Sequence, residues 1–213
     1  MKMKTTAQLS LLLTGLCLMG GATGCSNDRG TSMADYQVTC RLDGTAPHDS
    51  ATLLVLEEDY NKLRVCGAAR VANGTFSFTG QTDRPRVALL RWDNDSTTPF
   101  HFVLEPGHID ITIATGSWNI TGSRMNTDYQ HFVNQRNSIM KTRADVWQEY
   151  LQHAADHSLK REDERRLVAR DSVLNDSLQC LTVDRINRGD VVGRIVRERF
   201  ARQLDQEHMR MLK

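Results

Sequence analysis

Two groups of histidines and carboxylates in this sequence combine residue types that can bind a metal ion. His153 and His157 are four residues apart with Asp156 between them, so a helix would bring both imidazoles to one side. A third ligand at a recognisable spacing is missing, and the apolar residues of this segment centre on another helix face. We therefore interpret both histidines as solvated side chains and predict no metal site.

The second group, His101, Glu105 and His108, spans a predicted turn. We interpret these as ordinary strand and turn residues, because one turn carboxylate does not make a catalytic acid–base pair. The Gly-x-Ser-x-Gly elbow, the Walker A loop and the Gly-x-Gly-x-x-Gly loop do not occur after residue 24. The sequence therefore predicts no catalytic residue, no cofactor and a protein that is not an enzyme.

The cysteines leave two interpretations open. Cys40 and Cys66 fall on predicted strands and could form one disulfide bond, or both of them and Cys180 could be small buried apolar groups. The Cys-x-x-Cys pattern of thiol oxidoreductases is absent. A role in thiol redox chemistry would need at least one accessible thiol with a low pKa.

Residues 36–124 have the pattern of short strands separated by turns. The run Ala51–Glu57 is continuously apolar, which is typical of a buried strand. Asn73-Gly74 predicts a tight hairpin, and Pro106-Gly107 predicts a second one. Turn signals recur about every ten residues, which favours an antiparallel β-sandwich or barrel.

From Met125 the apolar residues recur at steps of three and four, which indicates helix. Asn126 is the predicted N-cap of a helix of about 30 residues and about 45 Å. The apolar stripe on this helix consists of Met125, Tyr129, Phe132, Val133, Ile139, Met140, Trp147, Tyr150, Leu151 and Ala154. Further apolar residues predict a second helix around Leu167–Leu181 and a third after Gly189. The predicted fold class is α+β, with an N-terminal antiparallel β-sandwich or barrel-like domain and a helical region over residues 125–213.

Three segments in this order resemble the family called domain of unknown function 4369: VANGTFSFTG (71–80), FHFVLEPGHIDITI (100–113) and ITGSRMNTDYQHF (120–132). The family pattern contains a hydrophobic-x-Asn-Gly-x-Phe-x-Phe-x-Gly hairpin, a Leu-Glu-x-Gly turn and a Gly-Ser-x-x-Asn entry into a helix. The resemblance implies an N-terminal module of envelope lipoproteins that are similar to thiol:disulfide interchange proteins. Because the chain ends at Lys213, where a thioredoxin domain would begin, we expect no such domain here. The matched residues are expected to be structural.

The N-terminal segment resembles a bacterial lipoprotein signal. Lys2 and Lys4 precede the apolar run Leu9–Ala22, and small residues lead into Cys25. We predict that residues 1–24 are a signal peptide, that Cys25 carries acyl chains such as palmitate, and that residues 25–35 are a flexible tether. Ser26 is not the Asp of an inner-membrane retention signal, which favours the outer membrane. The alternative is an ordinary signal peptide with Cys25 as a bystander.

Composition limits the classes of partner. The chain has 27 Lys and Arg against 26 Asp and Glu, a formal net charge of +1, so it is not an electrostatic nucleic-acid binder. Hydrophobic residues make up 39%, which excludes a disordered chain. We expect a lipid-anchored cell-envelope protein with a non-enzymatic binding or scaffolding role toward an envelope protein or a small ligand. The alternative is an accessory role in thioredoxin-linked thiol chemistry.

Overall fold

The computed structural model describes residues 32–44, 49–57, 62–92, 99–115 and 117–213. The predicted signal peptide, Cys25 and residues 26–31 of the predicted tether lie outside these residues. Eight strands come first: β1 (Ala34–Asp43), β2 (Ser50–Leu56), β3 (Leu63–Arg70), β4 (Thr75–Thr82), β5 (Arg86–Trp92), β6 (Phe100–Leu104), β7 (Gly107–Ala114) and β8 (Ser117–Thr121). Four α-helices follow: α1 (Arg124–Ala155), α2 (Arg161–Asn187), α3 (Val191–Phe200) and α4 (Gln206–Arg210).

The strands form two four-stranded sheets that enclose a hydrophobic core. One sheet has the order β4-β1-β7-β8 and the other has the order β3-β2-β5-β6. The core between them includes Val38, Leu53, Phe78, Phe102 and Ile111, all buried. The predicted α+β fold with an N-terminal β domain is therefore confirmed. Within it, β1 and β7 pair in parallel, whereas the other pairs are antiparallel.

The two sheets differ in their sequence pattern because they differ in how many faces are covered. In β4, buried and exposed residues alternate, as expected for a strand with one face in the core. Five consecutive residues of β2, Ala51–Val55, are buried. The outer face of this second sheet is covered by helices, so β2, β5 and β6 are apolar on both sides.

The helices form a second core on that outer face. Leu54, Leu89 and Val103 of the sheet pack with Phe132 of α1 and Ile195 of α3, among other residues. Residues Ser32–Lys213 form one compact unit. Among the described residues, no helix is both long and apolar enough to cross a lipid bilayer.

Both predicted turns are present, but each connects strands of different sheets. Asn73 and Gly74 have φ values of 51° and 71°, as a two-residue hairpin turn of type I′ requires. Ala72 and Thr75 exchange two backbone hydrogen bonds of 2.9 Å around this turn. Beyond it, β3 joins one sheet and β4 the other. The predicted hairpin at Pro106-Gly107 likewise leads from β6 in one sheet to β7 in the other, so neither turn makes a hairpin within a sheet.

The first helix begins differently from the prediction. Its N-cap is Ser123, whose Oγ accepts a hydrogen bond of 3.1 Å from the backbone N–H of Asn126. The prediction of Asn126 as the N-cap was wrong. Asn126 instead lies in the first turn of the helix and is completely buried.

Candidate functional site

The three cysteines in the described part of the chain are free thiols. Cys40 is fully buried in β1, Cys66 is half-buried in β3 of the other sheet, and Cys180 is half-buried in α2. The Cys40–Cys66 disulfide is not formed in this structure, and whether the protein acquires it stays a prediction. Burial raises the pKa of Cys40 to about 12, and the nearby Asp110 carboxylate adds to this rise.

Cys66 lines a cleft of about 370 Å³ at one edge of the sandwich, together with Tyr36, Arg64 and Arg86. Burial raises the pKa of the Cys66 thiol, although the two arginines act in the opposite direction. Partial burial and the carboxylates of Asp176, Asp184 and Glu207 also raise the pKa of Cys180. None of the three described thiols therefore has the lowered pKa that redox-active cysteines need.

The histidines whose spacing could suggest metal ligands do not form a metal site in the described part of the chain. Helix α1 ends at Ala155, and His157 has a φ of 52°, so His153 and His157 do not share a helix face as an i, i+4 pair. His108 is exposed and lies 2.9 Å from Asp110. His101 is buried with Nδ1 2.8 Å from the carbonyl oxygen of Pro99, and burial lowers its pKa to about 4.

Glu105, by contrast, belongs to a junction that joins the first helix to the sandwich. The Ser123 hydroxyl donates a hydrogen bond to the Glu105 carboxylate. The Asn126 Oδ1 accepts from the Val103 N–H at 2.7 Å, and its Nδ2 donates to the Val103 carbonyl at 2.8 Å. Since β6 is an edge strand, this amide takes the place of a neighbouring strand.

Gly122 completes this junction. Its φ is 80°, and a Cβ atom here would lie 2.2 Å from the His108 carbonyl oxygen, so no larger residue fits. The Gly-Ser-x-x-Asn and Leu-Glu-x-Gly patterns therefore meet at one place and fix the angle between α1 and the sheets. The expectation that these residues are structural agrees with this geometry.

The apolar stripe predicted along α1 divides into a buried half and an exposed half. Tyr129, Phe132 and Val133 are buried against the second sheet and α3. Beyond them, Met140, Trp147 and Leu151 are exposed by 40%, 43% and 63%. With the exposed Ala144 and Ala154, these residues follow steps of four, three, four and three; we call Met140, Ala144, Trp147, Leu151 and Ala154 the heptad stripe. This is the spacing of a coiled-coil seam.

Neighbouring polar groups hold the heptad stripe in place. Arg143 donates two hydrogen bonds to the Asp171 carboxylate of α2, at 2.8 and 3.1 Å. The Trp147 side chain also helps to lower the pKa of the same carboxylate, and its ring packs edge-on against Tyr150 with centroids 5.4 Å apart. The largest side chain of the stripe is thus fixed before any partner arrives, which lowers the entropic cost of binding.

A groove of about 180 Å³ continues from one end of the heptad stripe. It lies between α1, α2 and the segment after α3, and Met140 belongs to both the groove and the stripe. Arg136, Asn175 and Gln203 are among its other lining residues. Sequence periodicity found every position of the heptad stripe except Ala144, but it did not find their exposure, because only packing on the sheet decides which part of α1 is covered. The alternating steps of four and three residues were the sequence signal from which this exposed surface could have been predicted.

The comparisons with known proteins concern the β-sandwich and its junction with α1. None of the curated proteins with which the chain was compared matches it. Residues 36–129 match the model of a family described as Domain of unknown function (DUF4369). This segment contains all eight strands, except the first two residues of β1, and the start of α1 from Ser123 to Asn126. This segment, which is less than half of the chain, therefore belongs to the domain-of-unknown-function family DUF4369.

Proposed function

We propose that this protein is a lipid-anchored cell-envelope protein that binds a partner protein along the heptad stripe, without catalysis. The exposed stripe on α1 is the observation that carries the proposal. Apolar side chains, three of them large, repeated at coiled-coil spacing over four helical turns form an interaction surface rather than scattered exposed residues. In longer relatives, by resemblance, the corresponding helices connect two folded modules, which also supports a docking role.

The occupant that fits this surface is an amphipathic helix of another envelope protein. Helices α1 and α2 are antiparallel neighbours, and a third helix along the stripe would complete a three-helix arrangement. Such a helix could extend past Met140 into the groove. A second copy of this chain is a different occupant, which the size of the native assembly distinguishes from a partner protein.

The size of the native assembly tests the binding role. We expect the protein extracted in mild detergent to migrate as a complex larger than the chain alone, and Leu151→Glu to reduce it to the size of the monomer. A charge within the stripe cannot be buried by an apolar partner. Gln152→Glu is the matched control, since Gln152 is exposed on the same helix but off the stripe. A wild-type monomer, a dimer of this chain alone, or a complex that survives Leu151→Glu would contradict the proposal.

The anchor is tested separately by intact mass. Acylated Cys25 predicts that the protein from the membrane fraction has the mass of residues 25–213 plus acyl chains. Cys25→Ala should abolish both the added mass and the membrane association, because acyl chains supply the affinity for the bilayer. A cleaved chain without acyl groups would contradict the anchor but would leave the heptad stripe proposal standing.

The redox alternative receives no support from the raised pKa values of Cys40, Cys66 and Cys180. It predicts that at least one thiol reacts quickly with an alkylating reagent at neutral pH in the native protein. We expect slow alkylation of Cys66 and Cys180, and alkylation of Cys40 after unfolding. Rapid native alkylation of any of the three would favour the redox role instead.

A further inference from the structure

A cysteine, a histidine and two aspartates meet where α4 packs on α2. Asp176 and Cys180 lie one turn apart on α2, and His208 lies on α4. The distance from Cys180 Sγ to His208 Nε2 is 3.6 Å, and Asp176 Oδ1 lies 3.4 Å from the same nitrogen. The three ligand atoms all lie within 4.8 Å of one another.

These distances are those of neighbouring ligands around one small ion. Zinc bonds are about 2.3 Å to sulfur and about 2.0–2.1 Å to nitrogen and oxygen. Tetrahedral angles then place sulfur and nitrogen about 3.5 Å apart, and nitrogen and oxygen about 3.4 Å apart. The sulfur–nitrogen and nitrogen–oxygen pairs thus already have the separations of tetrahedral ligands, and the sulfur and the Asp176 oxygen lie within 4.8 Å of each other.

The histidine is also held in the correct orientation. Its Nδ1 donates to Asp205 Oδ1 at 2.8 Å, and the same carboxylate oxygen, at the N-cap of α4, accepts the His208 backbone N–H at 2.9 Å. This leaves the lone pair of Nε2 directed toward Cys180 and Asp176. A carboxylate behind a histidine is the arrangement that tunes zinc ligands. His208 is buried, so its ring has little freedom to turn away.

The charges around the site favour a cation. Asp176 is the carboxylate among the three ligands, and Asp184 and Glu207 lie close enough to act electrostatically on the Cys180 thiol. A divalent ion would offset this concentration of negative charge. Sulfur, imidazole and carboxylate together are the donor set of zinc-class metals rather than of calcium or magnesium.

We propose that Asp176, Cys180 and His208 bind one divalent transition-metal ion of the zinc class, with the fourth coordination position open to water or an external ligand. The ion would fasten α4 to α2. This metal site is independent of the proposed binding along the heptad stripe, because none of its ligands belongs to that stripe. Sequence spacing did not predict it, since His208 follows Cys180 by 28 residues and α3 lies between their helices.

Cobalt and zinc binding to the purified protein tests this site. We expect one equivalent of Co²⁺ to bind with the visible absorption of a tetrahedral centre and a thiolate-to-cobalt charge-transfer band, and Zn²⁺ to displace it. Cys180→Ser should abolish the charge-transfer band, and Asp176→Asn should weaken zinc binding at least tenfold. Asp205→Asn should weaken it about 10- to 100-fold without removing a ligand.

The controls separate the site from other thiols and from unfolding. Cys66→Ser should change neither the absorption nor the affinity, since that thiol lies in the sandwich. Asp176 is exposed and Cys180 half-exposed, so both variants should retain the circular dichroism of the wild type. In a Cys66→Ser background, one equivalent of Zn²⁺ should slow the alkylation of Cys180. The proposal is overturned if no stoichiometric metal binds, if Cys180→Ser binds like the wild type, or if zinc leaves alkylation of Cys180 unchanged.

Discussion

Asn126 shows how one side chain can join a helix to a sheet. Its amide satisfies both backbone groups of Val103 at the free edge of β6, and it is completely buried. We expect Asn126→Ala to lower the free energy of unfolding by about 3 kcal/mol, because two buried backbone groups lose their partners. Chemical denaturation measures this change. Asn134→Ala, at an exposed position of the same helix, should stay within about 0.5 kcal/mol of the wild type.

A loss of less than about 1 kcal/mol in Asn126→Ala would show that water replaces the amide at the sheet edge. The junction would then not fix the position of α1, and the structural explanation of the Gly-Ser-x-x-Asn pattern would fail.

His101 predicts a specific pH dependence of stability. Its pKa is lowered from 6.5 to about 4 by burial and by the Arg199 guanidinium, although the Pro99 carbonyl acts in the opposite direction. The unfolded chain therefore binds a proton at His101 at a higher pH than the folded protein does. His101 therefore does not lower the free energy of unfolding above about pH 6.5, but it lowers it by roughly 3 kcal/mol as the pH drops to 4.

Denaturation midpoints between pH 7 and 4 measure this effect, and His101→Phe is the matched variant because it keeps a buried ring without a titrating group. Its stability should depend less on pH in that range. The aspartates with lowered pKa, such as Asp171 and Asp190, act in a lower window, below their ordinary pKa of 3.8. Equal pH dependence of the wild type and His101→Phe would contradict the prediction.

The start of α3 depends on a partnership with the end of α2. Arg185 is buried on α2 and donates two hydrogen bonds to Asp190, at 2.8 and 3.1 Å. Asp190 is also the N-cap of α3 and accepts the Gly193 N–H at 2.8 Å. We expect Asp190→Ala to cost about 3 kcal/mol, because a buried guanidinium loses its charge partner and the helix loses its cap.

Two variants divide this cost into its parts. Asp190→Asn keeps a good cap and removes the charge, so thermal denaturation should place it between the wild type and Asp190→Ala. Glu198→Ala removes an exposed acid from the same helix and should have little effect. If Asp190→Ala were as stable as Glu198→Ala, the ion pair would be irrelevant to the packing of α3.

The sequence predicted the elements well because their signals are local. The alternation in β4, the apolar run of β2 and the three- and four-residue steps of α1 each lie within one segment. The pairing of these segments is not local. The parallel contact of β1 with β7, the turns that cross between sheets, and the role of Asn126 depend on residues far apart in the chain. Because they also depend on contacts between distant segments, the exposure of the heptad stripe and the contact of Cys180 with His208 could not be predicted from the sequence.

The helices and the sandwich stabilise each other. Leu54, Val87, Leu89 and Val103 form an apolar outer face of the second sheet, and α1 and α3 cover it. We expect residues 32–124 alone to lack cooperative thermal unfolding and to bind a hydrophobic dye, because that face would be exposed to water. Circular dichroism and dye fluorescence, with residues 32–213 as the control, make the comparison. Cooperative unfolding of the shorter chain near the transition of the longer one would show that the sandwich is stable without its helices.

Binding of a partner helix along the heptad stripe is tested most directly by a photoreactive amino acid at position 151 of the protein in its native envelope. Irradiation should give an adduct with another envelope protein, and the cross-linked peptide should have apolar residues at steps of four and three. The same group at position 152, which is exposed on the same helix but off the stripe, should give none. Adducts only with a second copy of this chain, equal adducts at both positions, or no adduct at position 151 would contradict the proposed function.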